Sequence, residues 1–164
     1  MANVSRRAAE KLRVFLLSPS GISENIAAMT ELEGIALPDL PPERVQLAAA
    51  PPEVADKVSG GRYPSVNIYC EKYTNQLREK FRVFSGTAQL CAEVRYSQDR
   101  LEGLTERLEV FSDAITRVLD QRRGDWGDGM FFTGGYVAEF GPVKQGGRNF
   151  VQSAKVRFEV EISI

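Results

Sequence analysis

The chain has 164 residues, 43% of them hydrophobic and 26% charged, with a formal net charge of -1. That length suits one domain that buries about two-thirds of the surface its unfolded form exposes, with no metal or disulfide needed to fold. The composition is neither that of a disordered chain nor that of a membrane protein, and the near-neutral charge argues against the basic footprint of a nucleic-acid-binding protein.

In chain order, "VSRRAAEKLRVFLL" predicts an amphipathic helix with Ala8, Ala9, Leu12, Phe15 and Leu16 on one face. Its cationic start resembles a secretory signal. The apolar run Val14–Leu17 is shorter than the about 7–15 residues a signal requires, so the expectation is a protein assembled in the cytoplasm, with no membrane segment. Ser18-Pro19-Ser20-Gly21 interrupts the pattern, and "ISENIAAMTELEGI" predicts a second short helix capped by Ser23. Pro38, Pro41, Pro42, Pro51 and Pro52 mark residues 38–61 as a Pro-rich surface excursion within a single 1–164 domain. Within it, "RVQLAA" reads as a short strand and "PPEVADKVS" as a brief helix.

The sheet begins at "PSVNIYC", which places Val66, Ile68 and Cys70 on one face. "AQLCAEVRY" does the same for Ala88, Leu90, Ala92, Val94 and Tyr96, with "KFRVF" and Ser85-Gly86 as the bend between the two strands. A long amphipathic helix is expected over 99–122. Leu101, Leu104, Leu108, Phe111, Ile115 and Val118 form its apolar stripe, and Asp99 with Glu102 matches a capping box. "MFFTGGYVAEFGPV" and "NFVQSAKVRFEVEISI" read as two further strands separated by turn residues 144–148. The last strand alternates without interruption, with Ala154, Val156, Phe158, Val160, Ile162 and Ile164 on its dry face. The expected fold is α+β: an antiparallel or mixed sheet of about four to six strands covered by one long helix, plus the N-terminal helix.

The motifs that carry chemistry are missing. With no histidine in the chain, a serine or cysteine nucleophile lacks its usual base. Cys70 and Cys91 have no CxxC spacing and read as reduced structural thiols. Asp125 and Asp128 in "RRGDWGDGMFFTGG" lack the ligand ladder of an EF-hand, so a flexible turn is expected there. The pairs Gly60-Gly61, Gly134-Gly135 and Gly146-Gly147 lack the flanking residues of a phosphate-binding loop. No catalytic, cofactor-binding or metal-ligating residue is assigned, and the chain is read as a non-enzyme. On the polar face of the last strand, Lys155 and Arg157 precede Glu159 and Glu161. That face reads either as a solvated surface or as a subunit interface divided by sign.

The strand "AQLCAEVRYS" followed by the helix "LEGLTERLEVFSDAITRVL", the glycine-rich hairpin region and the ending "FVQSAKVRFEVEISI" resemble the tail terminator proteins of tailed bacteriophages. The likeness covers about residues 64–164 and the N-terminal helix; the excursion at 38–61 departs from the shortest members of that group. The resemblance implies a virion protein assembled in the host cytoplasm. Its subunits form a ring, typically sixfold, that stops polymerisation of the tail tube and offers the head its docking surface. The implied partners are other copies of itself, the tube protein, neck or connector proteins and sheath protein, with DNA passing through the ring without specific binding. Another neck, head-completion or tail accessory protein is the alternative, followed by a small-molecule binding module or a carboxylate-based enzyme.

Overall fold

The computed structural model describes residues 3–48 and 63–164. The segment "PPEVADKVS" and the Gly60-Gly61 pair lie outside the described residues.

Helix α1 (Val4–Leu17) buries Val4, Ala8, Ala9, Leu12 and Leu16, the face that its periodicity marks. A tight turn follows, in which Gly21 donates its N–H to the Ser18 carbonyl. Helix α2 (Ile22–Glu33) starts directly behind Gly21. Ser23 therefore lies within the first turn and is not the cap. The turn leaves no room for a capping side chain at its last position, since a Cβ on Gly21 would stand 2.2 Å from the Leu16 carbonyl oxygen. A single 3-10 turn (Pro42–Arg44) leads into the short strand β1 (Val45–Gln46).

Strands β2 (Ser65–Asn75) and β3 (Ser85–Gln98) form a long hairpin, and helix α3 (Leu104–Gln121) follows. The chain then makes β4 (Gly124–Gly127), β5 (Met130–Phe132), β6 (Tyr136–Phe140), β7 (Lys144–Gly146) and β8 (Asn149–Ser163). The eight strands among the described residues form one sheet in the order β1-β2-β3-β8-β5-β4, with β6 and β7 also beside β8. β1 runs parallel to β2 and the other pairs are antiparallel, so the sheet is mixed.

β8 is the spine of this sheet. One side pairs with β3 from Phe150 to Ser163, and the other meets β7, β6 and β5 in succession. The single strand expected over 130–143 is thus two short ones, β5 and β6. It breaks at Gly134, whose φ of 113° leaves the strand region, and at Gly141-Pro142, where proline has no N–H for a ladder. Lys144–Gly146, expected as turn, is β7, and only Gly147-Arg148 turns the chain. The terminal residue is held as well. Ile164 donates its N–H to the Phe84 carbonyl at 2.8 Å and accepts from the N–H groups of Val83 and Phe84.

The α-helices are three among the described residues, the N-terminal one, the short second one and the long one that the sequence predicts. α1 packs on β2 and β3, α3 packs on β3 and β8, and α2 packs chiefly on α3. α3 is therefore covered from two directions, and Val110, Ser112, Ala114 and Thr116 are buried in addition to the predicted stripe. Leu108, Phe111 and Ile115 share one core with Val156, Phe158 and Val160. Each fully buried side chain of that size stabilises by about 1.5–3 kcal/mol gross.

α3 begins at Leu104, not at 99, and the expected capping box does not form. The Gln98 side-chain amide donates to the carbonyls of Arg100 and Glu102, each at 2.6 Å, which holds the preceding loop out of helical geometry. Leu101 consequently points outward, 56% exposed.

The "RRGDWGDGMFF" segment is the β4–β5 hairpin, not a flexible turn. Trp126 anchors it: its ring packs against Phe15, Phe132 and Phe158, and its Nε1–H donates to the Arg122 carbonyl at 2.7 Å.

Candidate functional site

Alternation along β2, β3 and β8 sends one set of side chains to the helices and the other to the opposite face of the sheet. On that opposite face Tyr69 lies across from Cys91, Cys91 from Arg157, and Glu93 from Lys155. Polar side chains in the middle of it are buried, with Glu93 only 4% and Arg95 only 2% exposed. Arg95 donates through Nε and Nη2 to Glu93 Oε1, both at 3.4 Å, and Tyr69 donates its hydroxyl to Glu93 Oε2 at 3.2 Å. Burial, more than any neighbour, pushes the Tyr69 phenol well above its ordinary value. The same cause pushes the Cys91 thiol up to about 11.

Arg157 ties three strands together across this face. Its Nε donates to both carboxylate oxygens of Glu71, at 3.0 and 3.1 Å, and its Nη1 donates to Glu139 of β6. Glu71 is the extra residue of a bulge in β2 between Cys70 and Lys72, a local kink that re-aims a side chain. The hydrogen bond to Glu71 is the main reason that the Arg157 guanidinium holds its proton still more tightly than usual.

A cavity of about 290 Å³ opens beside this network, with Glu93, Arg95, Glu139, Lys144, Lys155 and Arg157 in its wall. Both carboxylates already accept hydrogen bonds from cations or a phenol. The arrangement stiffens the sheet and leaves the recess with an excess of positive groups. Of the four residues singled out on the last strand, Arg157 is engaged within its own chain and Lys155 lines the cavity half-buried. Glu159 and Glu161 face solvent further along the strand.

Sequence reasoning missed the two margins of the sheet. β6 is exposed along its whole length, with Tyr136, Val137 and Phe140 between 37% and 58% exposed. No described strand continues the sheet beyond β6 at this point. On the far side, β1 covers β2 only at Val66 and Asn67, and no described strand flanks Glu71–Asn75. The hairpin between β2 and β3 carries a second exposed apolar group, with Leu77, Phe81 and Val83 at least 64% exposed. The available signal was "YVAEF", a β-rich stretch bounded by glycines that reads as an edge once its neighbours break.

No family model matches the chain, and no curated protein matches it. Among solved structures, one chain of the virion of a native gene transfer agent (GTA) particle is similar at 15% identity, over 85% of this chain and 91% of that one. Its TM-score is 0.30, too low for the likeness to carry an argument.

Proposed function

We propose that this protein is a structural subunit of a tailed-bacteriophage virion, and specifically the tail terminator. It forms a ring on the end of the tail tube, stops tube polymerisation and presents the surface on which the head docks. The observation that supports this reading is that, among the described residues, β6 and Glu71–Asn75 of β2 have no strand on their outer side. Open edges are normally blunted by charge, proline or a covering element. In β6 the one charged side chain, Glu139, is turned onto Arg157 of its own sheet and does not guard the edge. Two unlike edges on one subunit suit head-to-tail contacts, which close into a ring when the rotation permits.

The role is structural and asks nothing of a cofactor. The polar face of β8 belongs to a subunit contact in this reading. Because Arg157 is already paired, the contact draws on Glu159, Glu161 and the half-buried Lys155. The tube protein, the neck or connector proteins and the sheath are the partners, and DNA threads the ring without being gripped.

Two measurements test the proposal. Electron microscopy of the purified chain is expected to show closed rings. Phage lacking the protein are expected to make tails of uncontrolled length, or tails unable to join heads. Isolated tails of normal length beside unfilled heads would overturn the terminator role in favour of a neck protein.

A further inference from the structure

The β2–β3 hairpin ends in a tip built to be displayed. Phe81 is fully exposed and sits at φ 68°, while Leu77 sits at φ 48°, both in the left-handed region that bulky residues rarely enter. The tip is nonetheless fastened. The Asn75 side chain accepts from the N–H groups of Leu77 and Ser85 and donates to the Val83 carbonyl, and the Glu79 N–H donates to Ser85 Oγ. A fixed loop holding apolar side chains in water is pre-organised for a partner. Around Phe81 the tip carries Arg78, Lys80 and Arg82 against the single acid Glu79.

A surface of opposite character lies on the same chain. α2 and the segment 37–39 line an open groove of about 440 Å³, apolar along Ile26, Ala27, Leu37 and Pro38 and with Glu31 and Asp39 in its wall. Between Arg13 and Arg44 the sequence has no lysine or arginine and five acidic residues. Two α3 arginines reach this region, Arg107 to the Ala36 carbonyl and Arg117 to Met29 Sδ, and the five acidic residues outnumber them.

We propose that the hairpin tip of one copy docks in the α2 groove of a second copy. Phe81 meets the apolar lining, and Arg78 and Lys80 face Glu31 and Asp39. Charge selects this groove over the cavity beside Arg157, whose excess cations would repel the tip. Tip and groove are different surfaces, so the contact is head-to-tail. The inference rests on the self-association proposed above and not on the tail role.

Sedimentation of the full chain tests it. Phe81→Ser, the pair Arg78→Glu with Lys80→Glu, and the pair Glu31→Lys with Asp39→Lys are each expected to weaken association by about tenfold or more, with native circular dichroism. Combining the two charge-reversed pairs in one chain is expected to restore association to within about threefold of wild type. Undiminished association in all three variants would overturn the tip-in-groove contact while leaving the ring intact. Losses that the combined variant does not recover would also overturn it, because the two surfaces would then not face each other. A wild-type chain that stays monomeric up to about 100 µM would sink both this contact and the ring.

Discussion

Arg157 holds Glu71 and Glu139 from two other strands, so removing it takes from both carboxylates the cation that they share. The Glu71 pair is about three-quarters buried, whereas Glu139 is 63% exposed. Arg157→Ala is therefore expected to cost about 1–3 kcal/mol in urea denaturation, and Glu139→Gln under about 1 kcal/mol. Equal costs for the two would mean that the network is ordinary surface charge. The alternation of β8 put Arg157 on the polar face from sequence alone, but its partners come from a bulge and from a strand, β6, whose place beside β8 no local pattern announced. Cys91 carries a second prediction at this scale. Burial lifts its thiol from 9.0 to about 11, so the folded chain keeps this proton to a higher pH than the unfolded one. Stability then falls as pH rises through that window, and is unaffected by this group below it. A melting-temperature series from pH 8 to 11 is expected to decline less steeply for Cys91→Ala than for wild type.

The β4–β5 hairpin turns through Gly127, Asp128 and Gly129, all with positive φ. A Cβ on Gly129 would stand 2.1 Å from the Ser163 carbonyl oxygen, where Ser163 also donates its N–H to Gly129. Gly34, at the end of α2, has a similar φ of 67° but open space around it. Gly34→Ala is expected to cost about 1 kcal/mol from backbone strain alone. Gly129→Ala adds a backbone collision and is expected to cost about 3 kcal/mol or more. Thermal unfolding of the two variants decides it, and indistinguishable midpoints would mean that the hairpin is not pinned to β8. This element shows where the sequence stopped being legible. Strong periodicity located α1, most of α3, β2, β3 and β8, because each buries a regular stripe. The hairpin is too short to show a period, and its anchor is one tryptophan whose partners lie on α1, β5 and β8. The start of α3 was misplaced for a local reason. Asp99 and Glu102 have the spacing of a cap, but the loop that Gln98 holds through two short-range hydrogen bonds outcompetes it.

Across the whole molecule, the α+β class followed from the order of the periodic segments. The number of strands did not follow, since β4 to β7 are only three to five residues long, at or below the shortest run in which alternation can be read, and are specified by pairing on or next to β8. The open edges were hidden for the same reason, as an edge is a property of the assembled sheet and of no single strand. The consequence for assembly is testable at Val137, which is 58% exposed in the middle of β6. A lysine there is the kind of charge that protects natural edge strands from pairing. Val137→Lys is expected to lower folding stability by no more than about 1 kcal/mol, because the site is exposed, although the register sets the new charge opposite Arg157. If a neighbouring subunit adds its own strand to β6, the same substitution lowers the fraction of chains in rings, and increasingly so at low salt where the added charge is least screened. Light scattering after size-exclusion chromatography, at two salt concentrations, reads both effects. A variant that assembles like wild type at both would show that β6 faces water in the ring, and that the subunit contact lies elsewhere on the molecule.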